Sequence, residues 1–261
     1  MEYKTTHIVY FSPTHTSQKV ARAIGDGIGM GRRIETDLTC DTAASELLIK
    51  DSVVIILVPV YGGRVAPVAV ERLKRLKGDN SVAVLAVVYG NRDYEDALVE
   101  LRDLAVEQGF IPLAAGAFIG EHSYSRKGMP IAEGRPDDAD IRTATIFGEE
   151  ALAKLMKVPA LADIHSFYIK GNVPYKEVGK PTPAAPVTLE HCAVCEECIQ
   201  LCPTAAIFIN EEGKIDTDKM KCIKCCACVK ECPVEAREFN TPYTEMLHKN
   251  FSARRSPETY L

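Results

Sequence analysis

Eight of the ten cysteines fall into two runs that share one spacing. Cys192, Cys195, Cys198 and Cys202 stand in "CAVCEECIQLCP", and Cys222, Cys225, Cys228 and Cys232 stand in "CIKCCACVKECP", each 30 residues further on. Thiols at i, i+3 and i+6 let a short loop curl around one iron–sulfur cubane, and the proline after the fourth cysteine turns the chain away. Structural zinc sites also take four cysteines, but they pair two separate C-x2-C knuckles. The spacing therefore predicts two 4Fe-4S clusters. Cys40 and Cys226 lie outside the pattern and are expected as free, packed thiols. His191, beside Cys192, is not needed as a ligand, because eight thiolates complete two sites.

Another group of residues points to phosphate. In "FSPTHTSQKVARAIG", Ser12, Thr14, Thr16 and Ser17 occupy a strand-to-helix turn. Hydroxyls and free backbone N–H groups at a helix N-terminus form an anion site. The Gly-Lys-Ser/Thr ending of a nucleoside-triphosphate loop is absent, and glycines 25, 27, 29 and 31 miss the G-x-G-x-x-G spacing. A lysine-free cradle of hydroxyls suits the terminal phosphate of FMN, and helix capping is the alternative reading of the same residues. Two more loops follow predicted strands, "PVYGGRVAP" from Pro59 to Pro67 and "YGNRDYEDA" from Tyr89 to Ala97. An open parallel sheet binds its ligands beyond such strand ends.

Positioning these loops takes a parallel sheet. Residues 1–156 alternate apolar runs with amphipathic stretches, the βαβα rhythm of a sheet covered on both faces. The predicted strands are His7–Phe11, Arg33–Leu38, Val53–Val60, Val82–Tyr89 and Ile111–Ile119. The third and fourth are nearly continuous Val, Ile, Leu and Ala, as central strands require; the second has only Ile34 and Leu38 as large apolar residues and belongs at an edge. Val20, Ile24 and Ile28 mark one helix, Ala97, Leu101, Leu104 and Ala105 another, and a last one runs from about Asp137 to Met156. From Lys157 to Pro186 five prolines replace the periodicity, which marks an extended connector between two domains. Residues 187–240 carry the duplicated cysteine unit, where Ile207, Ile209 and Ile215 flank a turn at Glu211–Gly213 and predict a hairpin. Arg237 takes the position that Ile207 holds in the first copy, and residues 241–261 form a tail with one short helix expected over Thr244–Ser252.

With 31 Lys and Arg against 36 Asp and Glu, the net charge of −5 argues against a general binder of nucleic acid or of anionic membranes. The apolar runs are of strand length, and no basic region followed by an apolar stretch opens the chain. The expected compartment is the reducing cytoplasm, where clustered cysteines hold metal in place of disulfides.

The two C-x2-C-x2-C-x3-C-P runs resemble bacterial-type dicluster ferredoxins. That resemblance implies crossed ligation, with Cys192, Cys195, Cys198 and Cys232 on one cluster and Cys222, Cys225, Cys228 and Cys202 on the other. The segment Ser12-Pro13-Thr14-His15-Thr16-Ser17 resembles the S/T-x-T-G-x-T phosphate loop of flavodoxins, with His15 in place of the usual glycine. Taken together, the two parts resemble the prokaryotic flavodoxin–ferredoxin fusion proteins over essentially the whole chain. The resemblance implies an α/β fold, a flavodoxin-like doubly wound parallel five-stranded sheet with a second, small α+β dicluster ferredoxin-like domain. It also implies FMN bound by Ser12, Thr14, His15, Thr16 and Ser17, and flanked by Pro59, Val60, Tyr61, Gly62 and Gly63 and by Tyr89, Gly90, Asn91 and Tyr94. The chain has no tryptophan, so ring stacking falls to Tyr61, Tyr94 or Tyr124, with Arg64 and Arg92 nearby and the Gly120–Arg135 loop placed to cover the flavin.

A cluster passes one electron and a flavin one or two. The implied function is electron transfer between two 4Fe-4S clusters and FMN, with an external redox protein (a ferredoxin or an oxidoreductase) as partner and a homodimer compatible with it. The alternative is an FMN-dependent reductase of a small substrate such as a quinone, fed by the clusters, with His122 and Tyr124 as proton donors.

Overall fold

β-Branched and other apolar residues in short runs become strands because they pack well on a pleated, buried surface. The computed structural model describes residues 3–179 and 182–261; Lys180 and Pro181 of the expected connector lie outside the described residues. The first part holds β1 (Thr5–Tyr10), α1 (Thr16–Ile28), β2 (Arg32–Asp37), β3 (Leu47–Lys50), β4 (Val53–Tyr61) and β5 (Arg64–Val65). These are followed by α2 (Pro67–Leu73), β6 (Leu76–Asp79), β7 (Val82–Tyr89), α3 (Ala97–Glu107), β8 (Ile111–Ile119) and α4 (Asp138–Met156). Beyond the connector come β9 (Val187–Thr188), α5 (Glu197–Gln200), β10 (Ile207–Ile209), β11 (Ile215–Thr217), α6 (Ala227–Lys230), β12 (Arg237–Glu238), α7 (Pro242–Asn250) and β13 (Glu258–Tyr260).

Strands β2, β1, β4, β7 and β8 lie side by side in that order and all run parallel. Numbering the parallel strands alone gives the order 2-1-3-4-5 of a flavodoxin-like doubly wound sheet. β2 is the edge strand, and only its polar, half-exposed sequence distinguishes it from the rest. The sheet has seven strands where five were expected, because β5 folds back antiparallel on the end of β4 and β13 adds antiparallel to β8. β3 and β6 form a separate parallel ribbon.

Both faces of the sheet are dry. Along β4, Val53, Ile55 and Leu57 join Ile8, Ile24 and Phe147 on one face, while Val54, Ile56 and Val58 join Leu73, Leu98 and Leu101 on the other. Successive side chains of a strand point to opposite faces, so an unbroken apolar run is what a doubly covered strand needs. Each such side chain contributes about 1.5–3 kcal/mol when fully buried.

Helices α1 and α4 cover one face and meet at two glycines. A Cβ on Gly27 would stand 1.9 Å from the Thr145 carbonyl oxygen, and one on Gly148 would stand 2.2 Å from that of Ile24. The backbones touch where no side chain fits. Gly148→Ala is expected to lower stability by about 1–3 kcal/mol through overpacking. In urea the midpoint should fall with the slope unchanged; an unchanged midpoint would contradict this contact.

Among its described residues the connector is mostly irregular, with a 3-10 turn at Leu161–Asp163, and it is fastened to the sheet domain as far as Lys176. Ile169 is buried, and the backbone N–H groups of Asn172 and Lys176 donate to the buried Asp96 carboxylate at 2.8 and 2.7 Å. In the cysteine unit, β10 and β11 form the expected hairpin. Left-handed residues recur at positions 30 apart, Val194 with Lys224, Glu196 with Cys226 and Ala205 with Glu235, so the duplication is one of conformation as well as spacing. No helix among the described residues is long and apolar enough to cross a membrane.

Candidate cofactor sites

The carboxyl ends of β1, β4, β7 and β8 open into one crevice of about 530 Å³, within the size range of small-molecule sites. Ser12, Thr14, Thr16 and Ser17 line it from the first loop, Pro59, Val60, Tyr61 and Gly62 from the second, and Tyr89, Gly90 and Arg92 from the third. Glu121, His122, Ser123 and Tyr124, after β8, complete the side nearest the sheet.

Four residues expected at this site do other work. His15 is the N-cap of α1 at φ 60°, a left-handed conformation that glycine adopts without cost, which is the physical reason for a glycine at this point in the loops it resembles. Its ring faces Glu231 across the domain boundary, 3.7 Å away. Asn91 is buried and donates from Nδ2 to the carbonyls of Phe251 and Ala253 at 2.5 and 2.9 Å. Tyr94 is fully buried with its hydroxyl on Glu258 at 2.6 Å and Tyr260 at 2.7 Å, so it pins β13 to the sheet and does not face the crevice. Gly63 packs against Glu95, where a Cβ would approach within 2.4 Å. Arg64, outside the crevice as well, donates from Nε to Glu100 at 2.8 Å.

The first loop fits a phosphate. Ser12 Oγ already accepts from the Gln18 N–H at 3.0 Å. Ser17 Oγ, by contrast, is buried with no hydrogen-bond partner in the protein. A buried polar group left unpaired costs about 1–3 kcal/mol, which a phosphate oxygen would relieve. The first turn of α1 carries no acidic side chain of its own, so the helix itself does not offset its positive end.

Tyr61 and Tyr124 line the crevice, and burial pushes both phenols well above their ordinary range, so they remain protonated donors. Gly90 leaves room for His122, whose Cδ2 a Cβ at residue 90 would approach to 2.3 Å. Burial first, then the charges of Lys230 and Arg92, pull His122 down to about 4. Its Nδ1 accepts from the Tyr124 N–H at 3.0 Å, which leaves the ring proton of the neutral imidazole on Nε2. The unfolded ring titrates near 6.5. Between about pH 6.5 and pH 4 the unfolded state therefore binds the extra proton, and stability is full above that window and falls as the pH drops through it. His122→Gln should flatten this part of the stability profile measured by urea unfolding; an equal fall in both proteins would contradict a neutral His122.

Two further cavities, both in the C-terminal unit, are lined by cysteines of both runs. One gathers Cys192, Cys195, Cys198 and Cys232, and the other gathers Cys222, Cys225, Cys228 and Cys202. The fourth cysteine of each run has thus crossed to the partner run. Backbone N–H groups support these crossed thiols symmetrically, Ala206 to Cys202 Sγ and Ala236 to Cys232 Sγ, both at 3.2 Å. Such bonds stabilise negative charge on sulfur and orient the ligand. The remaining walls are mostly small or apolar, with Glu196 and Arg237 as charged members of the first cavity, and the thiol-rich linings suit two cubanes. Cys226 is buried and also lines the second cavity, a fifth thiol there. Cys40 is exposed where a packed thiol was expected, and it rests against the carbonyls of Gln200 and Leu201 at 3.7 Å. His191 meets the Val234 carbonyl at 3.2 Å.

The cysteine unit lies across the crevice. Ile223 and Lys224, with Tyr243, Met246 and Leu247 of α7, form its outer wall. Ile223 lines the cavity of Cys222, Cys225, Cys228 and Cys202 as well. Polar contacts hold this arrangement: Lys230 Nζ donates to the Ser125 carbonyl at 3.0 Å and to Glu121 at 2.5 Å, and Arg72 Nη2 donates to the Pro203 carbonyl at 2.5 Å. Nothing in the sequence reading placed the tail at this site, although Tyr243, Met246 and Leu247 have the i, i+3, i+4 spacing of one helix face.

A family of 4Fe-4S dicluster domains matches residues 187–233. The chain is 40% identical over 68 residues to the thiosulfate reductase electron transfer subunit PhsB of Salmonella typhi, covering 26% of this chain and 34% of that one. It is 43% identical over 47 residues to pyruvate synthase subunit PorD of Methanocaldococcus jannaschii, covering 18% and 55%. The chain thus spans about a third and about half of the length of these relatives. Among solved structures, rubredoxin oxygen:oxidoreductase of Desulfovibrio gigas aligns with a TM-score of 0.43 and 16% identity over 61% of this chain and 38% of that one. A flavodoxin from the Archaea aligns at 0.37 and 13% over 58% and 99%. Strand order in the first part and the dicluster match in the second give the chain the build of a flavodoxin-like domain followed by a 4Fe-4S dicluster domain.

Proposed function

We propose that the chain carries electrons between two 4Fe-4S clusters and FMN held in the crevice. One observation carries this reading: Ile223, the residue after Cys222, lines both the crevice and the adjoining four-cysteine cavity. When bound, FMN supplies one- and two-electron chemistry to match the single electron of a cluster. The protein's own contribution is binding, orientation and exclusion of water. Ser12, Thr14, Thr16 and Ser17 hold the phosphate, and Gly62 and Gly90 let backbone approach the ring. Ile223, Met246 and Leu247 seal the side toward the cysteine unit. The cavity of Cys192, Cys195, Cys198 and Cys232 shares no lining residue with the crevice, and Cys195 is exposed, so an external redox protein exchanges electrons there. A reducing compartment such as the cytoplasm suits eight thiols held as ligands.

A second reading is favoured by the convergence of Tyr61, His122 and Tyr124 in the same crevice, with both phenols protonated and the imidazole neutral. These donors suit reduction of a small acceptor such as a quinone. Anaerobic reconstitution, followed by a screen of reduced ferredoxin, NAD(P)H and quinones, separates the two. Electron carriage is expected to give flavin reduction by a redox protein and no rapid reoxidation by quinones. Rapid multiple turnover of a quinone would favour the reductase, and a flavin that no protein donor reduces would overturn the carrier reading.

A further inference from the structure

Arg237 breaks the symmetry of the duplicated unit. Thirty residues earlier the same position is Ile207, an apolar wall of the Cys222 cavity. Arg237 lines the other cavity, that of Cys192, Cys195, Cys198 and Cys232, and is only 4% exposed. Its Nη2 donates to Thr217 Oγ1 at 2.6 Å and to the Pro186 carbonyl at 3.3 Å, and its Nη1 donates to Thr188 Oγ1. Nη2 also stands 3.9 Å from Sγ of Cys228, a cysteine of the opposite cavity. Nε is buried with no partner. Among the described residues its hydrogen-bond partners are neutral oxygens and a thiol sulfur, and no carboxylate forms an ion pair with it, Glu196 sharing the cavity lining without pairing.

Burying a guanidinium without a counter-ion costs several kcal/mol. Packing does not require it, since isoleucine serves at the equivalent position. Iron–sulfur clusters held by four thiolates are negative, and reduction adds one more negative charge. We propose that Arg237 is the shared counter-charge of the two clusters and raises both of their reduction potentials. The inference rests on the two-cluster reading. Each reduction takes one electron from the external donor and breaks no bond, so only the charge of the cluster changes. A fixed cation in a low-dielectric interior favours that change at both cavities it touches.

The test is a dithionite titration followed by electron paramagnetic resonance of the reduced clusters, on wild type and on three variants. Arg237→Gln and Arg237→Ile remove the charge, the first keeping a donor toward the threonines and the second copying Ile207; Arg237→Lys keeps the charge. Each neutral variant is expected to shift both reduction equilibria about tenfold toward the oxidised form, about 59 mV for a one-electron couple, while Lys stays near wild type. Two 4Fe-4S signals with an unmoved potential at either cluster would overturn the inference and leave the two-cluster reading intact. Fewer than two such signals in the wild type would overturn that reading itself. Equal shifts in the Lys and neutral variants, or iron lost from all three, would make Arg237 a packing residue and overturn the inference as well.

Discussion

Cys202→Ala is expected to destroy the cluster of Cys222, Cys225 and Cys228 while sparing the one that lies nearer to it in sequence. Cys202 closes the run that begins at Cys192, yet its side chain lines the cavity of the second run. Removing it leaves that cavity three of its four spaced ligands, Cys222, Cys225 and Cys228, with Cys226 as the remaining thiol on its wall, and leaves the other with Cys192, Cys195, Cys198 and Cys232 complete. Iron per chain should fall by about half, and Cys232→Ala should remove the other half, because each cubane needs four ligands. Binding free energy of a cluster is also folding free energy, so the Cys202 variant should unfold at lower denaturant, with the β10–β11 hairpin the first to lose protection. A variant that kept the Cys222 cluster and lost the Cys192 cluster would refute crossed ligation. Zinc in the wild-type protein would refute the clusters altogether.

Thr14→Ala with Ser17→Ala should weaken FMN binding by about 1–3 kcal/mol for each charge-assisted bond lost, which is roughly tenfold or more per bond. Ser17 also separates a phosphate site from a helix cap by the sign of a second effect. Its hydroxyl is buried and unpaired in the protein alone. Ser17→Ala should therefore leave the flavin-free protein as stable as before, or slightly more so, while lowering FMN affinity. A capping hydroxyl would behave in the opposite way, losing stability and keeping affinity. Isothermal titration with FMN and with riboflavin, paired with urea unfolding of the flavin-free protein, reads both quantities. Equal affinity of the wild type for FMN and riboflavin would contradict the phosphate role.

Legibility in the sequence followed the range of the forces. β1, β4, β7 and β8 were visible because burial leaves apolar runs, unbroken in Val53–Val58 and Val82–Val88, while β2 is polar and lies at the edge. β13 was not, because three residues at an edge, "ETY", need only backbone partners on β8 and the buried hydroxyl of Tyr94. The same blindness misassigned Tyr94 and Asn91. Each lies on a loop that borders the crevice, and only the returning tail shows that their polar groups are already engaged. The cysteine pattern carried both the cofactor class and, through resemblance, the ligand grouping, because the curl of a loop around a cubane is set locally. His15 stands in the left-handed conformation, φ 60°, at the position where the loops it resembles carry glycine, a conformation that residue identity alone did not reveal. Ile223, Met246 and Leu247 could not have been found without the docked domains, since their role comes from contacts with residues more than a hundred positions away.

The docked arrangement makes a kinetic demand. With Ile223 between the cavity of Cys222 and the crevice, electrons should cross within one chain. Flash reduction of the clusters in the FMN-loaded protein, with flavin absorbance followed over a wide range of protein concentrations, measures this directly. The expected result is a rate independent of concentration in the wild type that disappears in Cys202→Ala. A rate proportional to protein concentration, or one unchanged in Cys202→Ala, would contradict it.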